Sequence, residues 1–149
     1  MEIQELTPDT ILPLAEMMKE LWPEVNIEEE VANNSRVYRD PLQTAFLLKN
    51  SDHWVGFAFI AMRKDFVEGT STSPVAYLEG IYIREPFRQM GYAQKLLHRC
   101  EEWSREHGAT EMGSDTEIIN DISQKFHLST GFKEVNRIVC YAKKLIVPK

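Results

Sequence analysis

Residues 75–93 read VAYLEGIYIREPFRQMGYA, and this stretch decides the fold. Val75 to Ile83 is apolar and rich in β-branched and aromatic residues, as a strand requires, and a glycine turn follows it into a helix. The turn carries Arg88-Gln89-Met90-Gly91-Tyr92-Ala93, an Arg-x-x-Gly-x-Ala pattern. Small residues at Gly91 and Ala93 let successive backbone N–H groups close on an anion, and the helix N-terminus adds its partial positive charge. The six residues alone equally describe an ordinary turn before a helix, so their neighbours must decide.

Outward from this stretch the chain alternates short strands and helices. Glu2 to Leu6 predicts a first strand, and Thr7-Pro8-Asp9 supplies the cap and first turn of a helix. That helix has Ile11, Leu14, Ala15, Met18, Leu21 and Trp22 on one face and stops at Pro23. Ile27 to Tyr38 predicts a second, exposed helix ending before Asp40-Pro41, with the Glu28-Glu29-Glu30 run at its start. Ala45–Lys49 and Trp54–Met62, joined through 50–53, predict a hairpin. The clearest helix is Tyr92 to His107, where Ala93, Leu96, Leu97, Cys100 and Trp103 form an apolar stripe and Gly108 follows the end. Lys95 and Arg99 fall on its other side, as solvated charge or as contacts to the outer phosphates of a ligand. Thr110 to Asp115 predicts a short strand. Asn120 to Ser129 predicts a last helix with Ile122 and Phe126 inward, and Phe132 to Leu145 a closing strand or pair of strands.

A chain of 149 residues with 43% hydrophobic content suffices for one domain, expected over 1–149. A formal charge of −6 argues against general nucleic-acid binding and favours a cationic partner. No basic-then-apolar leader and no apolar run of roughly 20 residues is present, so a cytoplasmic protein without a membrane span is expected. Cys100 and Cys140 make no disulfide framework, no Cys or His pair has metal-ligand spacing, and both thiols are expected to be buried and structural. No metal is expected.

The strand, the Arg88-x-x-Gly91-x-Ala93 loop and the later Gly131-Phe132 resemble the cofactor-binding core of the GNAT acetyltransferases. More narrowly, residues 69–81 (GTSTSPVAYLEGI), with Leu21-Trp22-Pro23 upstream and Ser114-Asp115 downstream, resemble the aminoglycoside 6'-N-acetyltransferases nearly end to end. The resemblance implies an α+β GNAT acyl-CoA N-acyltransferase fold, a mixed, mostly antiparallel sheet of six or seven strands flanked by about four helices. It further implies acetyl transfer from acetyl-CoA to the 6'-amine of aminoglycosides, resistance to them, and a homodimer, with the C-terminal strands as its candidate interface.

The resemblance also assigns residues. Backbone groups at Ile81, Tyr82 and Ile83 grip the pantetheine arm, Arg88, Gln89, Met90, Gly91, Tyr92 and Ala93 hold the pyrophosphate, and Asn120 bonds the pantetheine or serves only as an N-cap. Trp22, with Val25 beside it, walls the sugar or is merely a core-edge aromatic. Phe66 faces the sugar, and Asn136 stands where an acid is usual. An aminoglycoside amine is mostly protonated near neutral pH, so a carboxylate must bind it and accept its proton before attack. Asp115 is the expected base and Glu79 its partner in clamping the amine. Strict strand alternation places Glu79 on one face with Tyr77 and Ile81, where an internal salt bridge is the alternative role. His127 occupies the position where many relatives have a Tyr that protonates the departing thiolate; it serves as that donor or as a plain helix residue. The competing functions are acetylation of a polyamine, metabolite or protein amine, and a non-catalytic acyl-CoA-binding domain.

Overall fold

The computed structural model describes residues 1–147. The chain divides into two compact units, Met1–Asp115 and Thr116–Lys149. The first holds a five-stranded sheet in the order β1-β2-β3-β4-β5: β1 (Glu2–Glu5), β2 (Gln43–Asn50), β3 (His53–Arg63), β4 (Val75–Ile83) and β5 (Met112–Ser114). The first four strands run antiparallel to their neighbours, and β5 pairs parallel to β4. Sequential strands thus lie side by side, and the parallel pair is joined through α3 (Tyr92–Glu106), as a parallel crossover requires.

Alternation along the strands sorts the core into two layers. Ala45, Leu47 and Phe57 face α1 (Ile11–Leu21) and α2 (Ile27–Arg39), packing with Leu14, Met17, Met18 and Val37. Phe46, between Ala45 and Leu47, points to the opposite face, where the Arg99 guanidinium of α3 lies 4.5 Å from its ring centre. Leu96, Leu97, Cys100 and Trp103 of α3 are buried, as the stripe predicts. Burial pushes the Cys100 thiol up to about 12, so it is inert at neutral pH. Cys140 is exposed, against the expectation of a buried thiol; it lies in the C-terminal stretch, which forms no helix or strand among the described residues.

The first helix is opened by a 3₁₀ turn at Pro8–Thr10, with Thr7 and Thr10 bonding reciprocally across it. Asn26 caps α2 by accepting from the Glu29 N–H at 3.0 Å. Both caps satisfy helix-end donors that would otherwise need water.

The second unit contains α4 (Asp121–Ser129), capped by Asn120, whose Oδ1 accepts from Ser123 N at 3.0 Å. Gly131, at φ +99°, follows its end and turns the chain out of the helix. Two expectations fail here. Ile122 is exposed, with only Phe126 half-buried. The stretch from Phe132 to Leu145 forms no strand among the described residues, so the sheet has five strands rather than six or seven. Its apolar residues favour a strand, yet a strand exists only where another strand accepts its hydrogen bonds, and no such pairing occurs among the described residues. Val135, Ile138, Val139, Tyr141, Leu145, Ile146 and Val147 are left exposed.

Candidate active site

A bulge in β4 builds the site. Phe59 pairs with Gly80 but Ile60 pairs with Leu78, so Glu79 is the extra residue between them. The bulge resets the alternation: Tyr77 opposite Ala61, Gly80 opposite Phe59 and Tyr82 opposite Phe57 share the α1 face, while Ile81 opposite Ala58 turns to the other. The face shared by Tyr77, Glu79 and Ile81 on strict alternation is therefore corrected. Bulges of this kind re-aim a side chain, and here the one re-aimed is a carboxylate.

Glu79 meets Arg63 from the end of β3. The guanidinium donates Nε to Oε1 at 3.0 Å and Nη2 to Oε1 and Oε2 at 2.8 and 2.9 Å. This is the salt bridge that stood as the alternative role for Glu79, and both side chains remain partly exposed, at 43% and 27%. The same guanidinium carbon lies 3.4 Å from the centre of the Tyr77 ring. Tyr77 in turn donates its hydroxyl to Asp115 Oδ2 in a very short bond. Burial, then that hydrogen bond to Asp115, push the phenol far above its ordinary value, so it remains a donor throughout the working range. Glu79, Arg63, Tyr77 and Asp115 thus form one connected cluster at the end of β5.

Ladder pairing between β4 and β5 stops at Leu78 and Ser114. From Glu79 onward the outer edge of β4 has no strand partner among the described residues, so Gly80 to Ile83 present backbone groups to an opening wedge. One is already used: the Ile83 carbonyl accepts Arg88 Nε at 2.7 Å. Arg88 thereby anchors the loop to the strand rather than extending into solvent. Gln89 at φ +63° and Gly91 at φ +79° are both left-handed, a conformation glycine adopts without steric cost. A Cβ on Gly91 would meet nothing within 4 Å, so the residue is required for its backbone angle alone. Gly91 begins α3 without a side-chain cap, leaving the first N–H groups of a 15-residue helix for a ligand. These features fit a diphosphate. A depression of about 490 Å³ continues along α3, lined by Gly91, Gln94, Lys95, His98, Arg99 and Glu102.

Trp22 caps the end of α1, and its indole lies against Gly80: a Cβ there would sit 2.7 Å from Cη2 and 3.0 Å from Cζ2. Phe57 packs edge-on against the same indole at 6.2 Å. Lys19 holds the following turn by donating Nζ to the carbonyls of Pro23 and Val25, at 3.2 and 2.8 Å. Trp22 is therefore fixed beside the bulge strand, and the turn carrying Val25 is tied back to α1. Phe66 is 79% exposed on the loop between β3 and β4. Next to it Val67 is buried beside Val75 and Tyr77, and Glu111 binds the N–H groups of Ser71 and Thr72 at 2.9 and 2.8 Å. The Thr72 hydroxyl bond, with those N–H bonds, holds the Glu111 carboxyl below its usual range.

In the second unit, the His127 ring accepts or donates at Nδ1 opposite the Ser123 carbonyl, 2.7 Å away; a carbonyl only accepts, so Nδ1 carries the proton. The neutral ring then has an acceptor at Nε2 and donates there only when protonated. Asn120 is an N-cap, as one of its two expected roles requires. Asn136 is exposed and accepts from Arg137 N at 2.9 Å.

Sequence reasoning missed Arg63, Lys19 and Glu111, and treated Tyr77 only as a neighbour of Glu79. No local motif marks them: Arg63, Glu111 and Tyr77 act on residues distant in the chain, and Lys19, which bonds the turn just after its own helix, looks like any surface lysine in sequence. A knowledge of register would have found Arg63, which pairs with Val75 and so falls beside Tyr77.

A split parallel edge followed by an N–H-rich turn into a helix, with carboxylates at the split, defines an acyl-CoA-dependent transferase. The family model described as the Acetyltransferase (GNAT) family matches residues 11–132, and the chain belongs to that family. An aminoglycoside N(6')-acetyltransferase type 1 of Serratia marcescens is 41% identical over 126 residues, covering 84% of this chain and 86% of the relative. One from Salmonella enteritidis is 33% identical over 144 residues, covering 97% and 99%. The solved structure of AAC(6')-Iy with the bisubstrate analog CoA-S-monomethyl-acetylneamine matches with a TM-score of 0.92 and 32% identity, covering 96% of this chain and 97% of that one.

Proposed function

We propose that this chain transfers the acetyl group of acetyl-CoA to the 6'-amine of aminoglycoside antibiotics, and so confers resistance to them. The observation that supports this most is the placing of the Glu79–Arg63–Tyr77–Asp115 cluster at the point where β4 and β5 part. Its relatives' names and the bisubstrate complex of a similar enzyme specify the substrates.

In this reading the wedge beyond Leu78 takes the pantetheine along Gly80, Ile81 and Tyr82, and Gln89 to Ala93 with the start of α3 take the pyrophosphate. Acetyl-CoA supplies an activated thioester. Asp115 binds the acceptor ammonium and takes its proton; the neutral nitrogen forms the new bond to the acetyl carbon, and the C–S bond breaks. The nitrogen gives up its second proton as the C–S bond breaks, and the thiolate takes up one proton in return, through solvent or a donor such as His127. Most of the acceleration comes from holding amine and thioester in line. Glu79 contributes charge beside the amine while remaining paired to Arg63, and Trp22, Val25 and Phe66 face the sugar. Asn120 and Asn136 keep the roles that resemblance suggests, a pantetheine contact and a distant sugar contact.

We read the chain as one acetyltransferase domain acting in the cytoplasm as a homodimer. The exposed apolar residues from Val135 to Val147 support pairing with a second copy, since a run of large apolar side chains seldom remains in water. Among the described residues no helix is long and apolar enough to cross a membrane.

The deciding experiment measures thiol release from acetyl-CoA with paired 6'-amino and 6'-hydroxy aminoglycosides, spermidine and a lysine peptide. Release confined to the 6'-amino compounds is expected. Equal release with spermidine or the peptide would overturn the substrate, and cofactor binding without release for every amine would overturn the enzyme.

A further inference from the structure

Tyr77 is held far more firmly than a core aromatic needs to be. Its side chain is 8% exposed. On one side the bare backbone of Gly113 is so close that a Cβ there would lie 3.2 and 3.3 Å from the ring edge. Val67 and Val75 pack with it. The Arg63 guanidinium lies over the ring at 3.4 Å and is locked by its three hydrogen bonds to Glu79. A phenylalanine would satisfy all of these contacts. The hydroxyl adds only one thing, its bond to Asp115 Oδ2.

Asp115 needs such a partner. It lies one residue beyond β5, where ladder pairing has ended, and it is exposed. A carboxylate on an unpaired, exposed residue samples several rotamers, and a base that must meet an amine within hydrogen-bond reach loses rate when it does so. With Oδ2 taken by the phenol, Oδ1 has no protein donor among the described residues and is the oxygen left for the amine.

We propose that Tyr77 is the positioning residue for Asp115, fixing by its hydroxyl which carboxylate oxygen meets the acceptor amine, with Arg63 as the clamp that keeps the phenol in place. This deepens the acetyl-transfer reading and rests on it. The charged groups facing the hydroxyl are Asp115 at the end of β5, Arg63 from β3 and Glu79 from β4.

The test is Tyr77→Phe, which keeps the ring and its packing. Steady-state rates with acetyl-CoA and a 6'-amino aminoglycoside are measured across pH 5 to 9, alongside thermal melting. The expected result is a roughly tenfold fall in kcat across the whole pH range with little change in KM for either substrate, the size of one hydrogen bond to a charged group. Arg63→Met, at a partly exposed position, keeps the hydroxyl but frees the ring, and is expected to lower kcat the same way by less, with Arg63→Lys recovering part of it. A Tyr77→Phe profile superimposable on the parent overturns the proposal, even where the melting temperature falls. Should the parent transfer acetyl to a different amine, the substrate reading fails instead, and the same comparison made with that amine still decides the role of Tyr77.

Discussion

Gly80→Ala tests the packing that makes Trp22 a wall. The new Cβ would lie 2.7 Å from Trp22 Cη2, where an ordinary carbon contact needs about 3.7 Å, so the indole must retreat by about 1 Å. Retreat toward the core is opposed by Phe57, edge-on at 6.2 Å, and the backbone at Trp22 is tied by its N–H to Met18 O at 2.7 Å. Overpacking of this kind costs about 1–3 kcal/mol, which lowers the melting temperature of a domain of this size by about 3–10 °C. The indole then leans into the space assigned to the sugar, and KM for the aminoglycoside rises about tenfold while KM for acetyl-CoA holds. Thiol-release kinetics with each substrate varied in turn, and thermal melting of Gly80→Ala, Trp22→Leu and the double variant, measure both effects. Because the clash needs both residues, the double variant is expected to recover part of the stability lost by Gly80→Ala. Strictly additive losses, or an unchanged aminoglycoside KM in Gly80→Ala, would refute the packing argument.

Three further outcomes are expected. Gly91→Val forces a β-branched residue to φ +79° at the start of α3 and should raise KM for acetyl-CoA at least tenfold while leaving aminoglycoside affinity within a factor of two, by titration calorimetry. Glu20 is hydrogen-bonded by Arg84 and Tyr82, and the Arg84 bond holds its carboxyl below its ordinary 4.5. A lowered native value stabilises the fold above the unfolded one and is lost as pH falls through it, so Glu20→Gln should lower the melting temperature at pH 7 and match the parent near pH 3. With Glu20 38% exposed, solvent screening keeps the difference below about 1 kcal/mol. Ile138→Glu, on the exposed C-terminal stretch, should convert a dimer to a monomer in sedimentation; a parent that is already monomeric would remove that stretch as the interface.

Much of the site was legible because local chemistry dictates it. The Arg88-x-x-Gly91-x-Ala93 pattern pointed to a turn into α3 because a glycine adopts the left-handed angle of Gly91 without steric cost, and Pro23 placed Trp22 at a helix end because proline cannot continue the helix. Glu79 was found for a reason that proved incomplete. It stood out as a carboxylate among apolar neighbours on a regular strand, whereas the bulge makes it the one residue of β4 outside that alternation. The apolar residues of the C-terminal stretch suggested a strand, but a strand also requires ladder pairing, and that stretch makes none among the described residues.

What the amino-acid order determines by itself is whatever depends on neighbours a few residues away: the periodic faces of α1 and α3, the caps at Thr7 and Asn26, and the turn at Gly91. Tertiary structure alone decides that Arg63 neutralises Glu79, that Tyr77 bonds Asp115 across 38 residues, and that β4 and β5 separate after Leu78. These depend on inter-strand register, and a shift of one residue reverses the face each side chain points to. No short-range pattern encodes that register; it is set when the whole sheet closes over its two apolar layers.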